Sequence, residues 1–167
     1  MIRARVAPRV GRENRRAVGP GFRACKAGRR SCSLCPFTGA ASDKKTVVTS
    51  ITIHHTGTVL PIQQNISCRD THCLYILSCT KTGCMKQYAG LSSRPLYIRF
   101  AEHLASIQAR SDCTVGRHWQ EPGHTIDHLV FLPVEKLGTR NRATLRQREM
   151  DLINSTGVLS TGLNNYR

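Results

Sequence analysis

Eight cysteines and seven histidines, many of them closely spaced, constrain this 167-residue chain more than any other feature. Cys79 and Cys84 are five residues apart, and after 33 intervening residues His118 and His124 are six apart. Two thiolates and two imidazoles suffice for a closed tetrahedral zinc site. The spacing therefore predicts a zinc ion that joins the turn holding the cysteines to the loop holding the histidines. The alternative is that all four are ordinary turn and surface residues.

A second group of cysteines precedes these ligands. Its members are Cys25, Cys32 and Cys35. The chain opens without the apolar segment of a secreted protein, so we expect free thiols and a second zinc ion rather than disulfides. Candidates for its fourth ligand are Cys68, Cys73, His54 and His55. Cys113 is expected to be a lone buried thiol.

Positive charge is concentrated at the start of the chain. Lys and Arg exceed Asp and Glu by 15, and residues 1–30 hold nine Arg and one Lys against one acid. Few large apolar residues occur in 1–20, which predicts a disordered basic arm. Such an arm grips nucleic acid or carries a nuclear import signal. A mitochondrial transit segment and the edge of a longer protein are the alternatives.

This charge excess disfavours a neutral metabolic enzyme and favours a polyanionic partner such as nucleic acid. Apolar runs fall far short of the roughly 18 residues that span a bilayer, so we expect no membrane partner. After the arm, residues 21–70 are expected to form a Cys-rich linker module, with a short hairpin in its β-branched segment at 44–60.

Residues 71–167 are expected to form one small domain, because their apolar pattern is regular. Strands are predicted at 73–78, 87–91 and 128–135. Helices are predicted at 93–109, 113–119 and 140–155. The order β-β-α-α-β-α indicates the α+β class, with a three-stranded, mainly antiparallel sheet flanked by helices.

Three polar residues fall on predicted helices in a way that suggests chemistry. Glu149 follows Leu145 by four residues and so lies on the apolar side of the last helix, where a charge needs a metal or a partner. The alternative is a surface ion pair with a neighbouring arginine. Arg99 and His103 are also four apart, which places them together on one helix face, as suits a phosphate and its proton transfers.

The predicted hairpin carries Cys73-Leu74-Tyr75 and Tyr88-Ala89-Gly90, and these are followed in order by Arg99, His103, Glu149 and Gly162-Leu163-Asn164. This ordered set resembles the two signatures and the later site positions of the GIY-YIG nuclease family. The phrases CLYILSCTKTGCMKQYAG, RFAEH, HWQEPGH and CKAGRRSCSLCPF are similar to the endonuclease domain of Penelope-like retroelements. In those elements the domain follows a reverse transcriptase.

The resemblance implies a nuclear, metal-dependent DNA endonuclease with six site residues and a four-residue zinc site. Glu149 would bind Mg²⁺ or Mn²⁺, Tyr75 with Tyr88 beside it would act as the base, and Arg99 would neutralise phosphate. His103 would orient a hydroxyl or move a proton, and Asn164 would hold the site's geometry. The implied zinc ligands are Cys79, Cys84, His118 and His124. A reverse transcriptase, encoded elsewhere or lost from this chain, is the implied protein partner.

One departure from the resemblance supports a second hypothesis. Leu91-Ser92 stands where the Penelope-like branch usually has Glu-Thr. The second hypothesis is a catalytically weak, zinc-stabilised nucleic-acid-binding module, which would bind DNA with strong salt dependence and not cut it.

Overall fold

The computed structural model of the chain describes residues 19–25, 32–39, 47–84 and 86–164. The predicted basic arm lies almost wholly outside these ranges. The described part is of the α+β class, as predicted.

Within the described residues, five short strands precede residue 70. They are β1 (Gly21–Arg23), β2 (Val47–Val48), β3 (Ser50–Thr52), β4 (Val59–Pro61) and β5 (Asn65–Ser67). β1 pairs antiparallel with β2 and parallel with β5, and β3 forms a hairpin with β4 that extends one residue beyond the predicted segment at 44–60. A 3₁₀ turn, Cys35–Phe37, lies between β1 and β2.

The second half of the chain follows the predicted order. Its elements are β6 (Cys73–Cys79), β7 (Gln87–Ser92), α1 (Leu96–Gln108), α2 (Thr114–His118), a 3₁₀ turn (Ile126–His128), β8 (Leu129–Lys136) and α3 (Arg142–Thr156). The sheet order is β7-β6-β8 and every pairing is antiparallel. β6 is the central strand and all seven of its residues are buried, which explains why apolar residues occupy both of its faces, with Ser78 as the polar exception.

The start of α1 corrects a prediction. The helix was expected from residue 93, but it begins at Leu96 because Pro95 has an extended backbone (φ −49°, ψ 137°). No side chain caps this end. The amides of Leu96 and Tyr97 instead donate to the carbonyl oxygens of Asp70 and Cys68, at 3.1 and 3.0 Å. The segment before the sheet therefore caps this helix.

Gln87 joins the two halves of the described chain. It is 2% exposed. Its Nε2 donates to the Thr52 carbonyl and the Ser78 hydroxyl at 3.0 and 2.9 Å, while its Oε1 accepts the His54 amide at 2.8 Å. Buried side chains from both halves also belong to one hydrophobic cluster. A boundary between linker and domain near residue 70 stays a prediction.

None of the helices within the described ranges has the length and apolar character that crossing a bilayer requires.

Candidate functional site

The hydroxyl of Tyr75 lies at the centre of the candidate site. Tyr75 is on the central strand and is 0% exposed. Its hydroxyl oxygen accepts a hydrogen bond from Nε of Arg99 at 2.9 Å and lies 2.8 Å from Nε2 of His103. Because a guanidinium only donates, the phenol hydrogen is left for His103. The helical spacing of four thus brings Arg99 and His103 onto one tyrosine, as the pattern suggested.

Burial determines the protonation of this group of three. It strongly raises the pKa of Tyr75, so the phenol keeps its proton at neutral pH. Burial, with the nearby Arg99 charge, lowers the pKa of His103 to about 3. A neutral imidazole accepting from a neutral phenol is the consistent arrangement. Tyr75 is therefore shielded from solvent and held in its protonated form, which does not favour the predicted role of base.

Tyr88 occupies the exposed side of the same arrangement. It lies on β7, is half-buried, and has its ring centroid 6.2 Å from that of Tyr75. A Cβ at Gly90 would lie 2.6 Å from the Tyr75 hydroxyl and 2.8 Å from Cε1 of Tyr88. The glycine of the Tyr-x-Gly signature therefore provides the space in which the two tyrosines meet.

Glu149 and Asn164 bind the outer edge of β7. As an edge strand, β7 presents backbone groups that β6 does not pair. Oε1 of Glu149 accepts the Leu91 amide at 3.0 Å. The Asn164 side chain accepts the Ala89 amide at 2.8 Å and donates to the Ala89 carbonyl at 2.7 Å. Glu149 is half-buried on α3, and its carboxylate bonds this backbone amide rather than a neighbouring arginine.

Most of these residues line a single cleft of about 410 Å³. Five of the six predicted site residues line it, and Tyr75 lies beneath it. The five are Tyr88, Arg99, His103, Glu149 and Asn164. Arg99 also donates to Oε2 of Glu102 at 2.9 Å, and Glu102 forms a second ion pair with Arg94. The sequence predictions missed Glu102 as a cleft residue, although its spacing of three from Arg99 was a usable signal.

Cys113 corrects another expectation. It was predicted to be buried, but it is exposed and lines the cleft. Its Sγ accepts the Gly116 amide at 3.3 Å and caps α2. This capping position holds the thiol at the helix terminus rather than in the core.

Cys79, Cys84, His118 and His124 come together as one group, with their ligand atoms within 4.8 Å of one another. Sγ of Cys84 lies 3.5 Å from Nε2 of His118. Nδ1 of His124 lies 3.2 Å from the Glu121 carbonyl, while its buried Nε2 has no hydrogen-bond partner among the described residues. An imidazole held through one nitrogen, with the other unpartnered beside two thiols, is the arrangement of a metal ligand.

Cys25, Cys32, Cys35 and Cys68 form a second group within the same 4.8 Å limit. Three Sγ–Sγ distances are 3.0, 3.3 and 3.4 Å, so no disulfide joins these atoms. A tetrahedral zinc ion holds sulfurs about 3.8 Å apart. Burial raises the pKa of Cys35 to about 12 and also raises that of Cys68, whereas at Cys25 burial is outweighed by hydrogen bonds from the Cys32 amide and the neighbouring thiols, which lower the pKa to about 7. Thiols that share protons this closely fit a site whose charge a cation balances.

Both groups can therefore hold a metal such as zinc. Of the candidate fourth ligands, the structure brings Cys68 to the first three cysteines, whereas Cys73, His54 and His55 lie outside that group.

Comparisons of the chain with protein-family models, with curated proteins and with solved structures find no match.

Replacing Gly90 with alanine tests the contact between the tyrosines. The new methyl would overlap both rings, so we expect a loss of about 1–3 kcal/mol in unfolding free energy. Gly138→Ala is the matched control, because a Cβ there meets nothing within 4 Å. Urea unfolding in excess zinc measures both. Equal stability of the two variants would show that the rings do not depend on the glycine.

Acid titration tests the neutral state of His103. The folded pKa is about 3 against the usual 6.5, so only the unfolded chain takes up this proton between those values. The resulting stability is complete above about pH 6.5 and declines as the pH falls towards 3, by up to about 1.4 kcal/mol per pH unit. Between pH 7.5 and pH 5 the parent should therefore lose more stability than His103→Gln does in urea unfolding. Equal losses would contradict the assignment.

Proposed function

We propose that the chain is a GIY-YIG-type DNA endonuclease that requires a divalent cation. The observation that carries this proposal is the position of Glu149. Its carboxylate is anchored through Oε1 to the Leu91 amide, and it lines the same cleft as Arg99 and Tyr88. A carboxylate, a guanidinium and a tyrosine facing one cleft are the groups that metal-assisted phosphodiester hydrolysis uses.

The donor set fits Mg²⁺ or Mn²⁺. Such ions are held by one or two carboxylates together with substrate phosphates and water. Oε2 of Glu149 is the oxygen available for this, since Oε1 accepts a backbone amide. Glu102 also lines the cleft, but Arg94 and Arg99 already neutralise its charge. When bound, the cation would supply electrostatic stabilisation of the phosphate and would acidify a bound water.

The chain's own residues would do the rest. Arg99 would neutralise the scissile phosphate, held in place by Tyr75 and Glu102. Tyr88, rather than the enclosed Tyr75, would orient the attacking water. As a phenolate, after losing its own proton to solvent, it would take the proton of that water, and the positive charges of Arg99 and the cation would favour this ionised form. His103 would remain neutral and hold the Tyr75 hydroxyl, and Asn164 would hold the strand that carries Tyr88.

The positive net charge of the chain favours a nucleic acid as the substrate. The whole chain carries +15, and residues 31–167 contribute +6 of it. This excess suits a nucleic-acid backbone. By its resemblance to the Penelope-like endonuclease domain, we propose that the cut serves retroelement insertion, in the nucleus and together with a reverse transcriptase.

We also propose that both Cys/His groups hold zinc in a structural role. Each supplies four ligands, which closes a tetrahedral site and leaves no position for a reacting water. Neither is therefore the hydrolytic metal. A small domain gains folding free energy from such sites.

Native mass spectrometry tests the zinc assignment. We expect two zinc ions per chain, falling to one in Cys84→Ser, because a serine hydroxyl does not replace a thiolate ligand. Cys113→Ser is the control and should keep two. A zinc-free chain with oxidised cysteines would refute the assignment.

Plasmid nicking tests the nuclease. With supercoiled DNA and Mg²⁺ or Mn²⁺, Glu149→Gln should cut about 100-fold more slowly or worse, the scale on which one electrostatic stabiliser acts. This change keeps an oxygen for the Leu91 amide and removes the charge. Asp151→Asn, on an exposed carboxylate of the same helix, should cut like the parent.

Two results would count against the nuclease. If Glu149→Gln cuts as well as the parent, the metal assignment is wrong. If the parent binds DNA in a salt-sensitive manner and cuts with neither ion, the chain is the nucleic-acid-binding module of the second hypothesis.

A further inference from the structure

The four-cysteine group lies next to the N-terminal end of α1, the helix that carries the cleft residues Arg99 and His103. Cys68 supplies Sγ to the group and its carbonyl to the Tyr97 amide, at 3.0 Å. Two residues later, the Asp70 carbonyl accepts the Leu96 amide at 3.1 Å. Helix α1 has no side-chain cap, so these two carbonyls satisfy its first two amides.

The segment from Cys68 to Asp70, which bears these carbonyls, is held at both of its ends. β1 and β5 run parallel as neighbours, and therefore Cys25 and Cys68 emerge side by side just beyond them. From Cys68 the chain enters a tight turn. Oδ2 of Asp70 accepts the amide and hydroxyl of Ser67 at 2.7 and 2.9 Å, and its Oδ1 lies 2.5 Å from Nζ of Lys136. The turn thus connects the cysteine group rigidly to α1.

Arg99 lies three residues into α1 and His103 follows one turn later. Both reach the same buried hydroxyl of Tyr75, at 2.9 and 2.8 Å. Contacts of that length do not survive a displacement of the helix by about 1 Å, and misplacement on that scale can slow a reaction about 100-fold. The position of the helix end therefore determines the geometry of the cleft.

We infer that a zinc ion bound by Cys25, Cys32, Cys35 and Cys68 sets the first turn of α1 through the Cys68 and Asp70 carbonyls and thereby positions Arg99 and His103. The four-cysteine group thus positions the cleft residues in addition to stabilising the strands that precede it. Its effect on cleavage rests on the proposed nuclease function, whereas its effect on the helix does not.

The site is within reach of solvent. A second cavity of about 400 Å³ is lined by Cys25, Cys32, Arg69, Pro95 and Tyr97, and so borders both the cysteines and the start of α1. An ion, a chelator or an oxidant can therefore reach the sulfurs without opening the core. Loss of the ion would remove the bond that fixes Cys68 to the other three cysteines, and we expect it to release the segment that carries Cys68.

Amide hydrogen exchange of Leu96 and Tyr97 tests the inference directly. In the full chain loaded with zinc, Cys35→Ser should exchange these two amides at least 10-fold faster than the parent. Cys84→Ser, which removes a ligand of the other group, is the matched control and should leave them unchanged. Unchanged exchange in Cys35→Ser, with one zinc ion lost by native mass spectrometry, would overturn the inference.

Asp70→Ala tests the connection between Cys68 and α1 without removing a zinc ligand. It also serves as the test if Cys35→Ser does not fold. We expect it to keep two zinc ions and still exchange the Leu96 and Tyr97 amides faster, because the turn has lost its side-chain bonds. In nicking assays its kcat should fall about 10-fold or more with KM for DNA changed less than twofold. Exchange at the parent rate overturns the inference. Faster exchange in a chain whose parent never cuts DNA supports the link and refutes the nuclease alone.

Discussion

The hydroxyl of Tyr75 is the contact on which the candidate site depends. It is carried by the central strand, buried completely, and shared by Arg99 and His103 from one face of α1. A buried hydroxyl with two partners has little freedom, so these two hydrogen bonds hold the helix in place against the sheet. Gly90 completes the arrangement, because any larger residue would meet the same oxygen.

The second constraint is the outer edge of β7. An unpaired strand edge must be covered, and here two side chains cover it. Asn164 holds Ala89 on both of its backbone groups, and Glu149 holds the amide of Leu91. The residues that protect the sheet edge are thus the residues that surround the cleft. This explains how a charged group lies stably on the apolar side of α3.

Much of this could be predicted from sequence because it depends on local period and spacing. The strands and helices after residue 70 and the pairing of Arg99 with His103 follow from patterns that repeat over a few residues. The four ligands of the Cys/His group follow from the spacing within each pair, whereas the choice of Cys68 as fourth member of the cysteine group came only from the structure. The start of α1 could not be predicted in this way. Its cap comes from the carbonyls of Cys68 and Asp70, which lie more than 20 residues earlier in the chain and leave no local signal. The enclosure of Tyr75 and the exposure of Cys113 depend on packing between distant elements, which alternation along one strand does not encode.

The central proposal is that Glu149 holds a hydrolytic cation while the cysteine and histidine groups hold structural zinc. Anomalous diffraction from crystals of the chain with a phosphorothioate DNA duplex and Mn²⁺ tests it most directly. The account predicts a manganese peak within about 2.5 Å of the Glu149 carboxylate and against a DNA phosphate, with zinc peaks in both four-residue groups. Manganese bound elsewhere, with the phosphate far from Arg99 and Glu149, would contradict it.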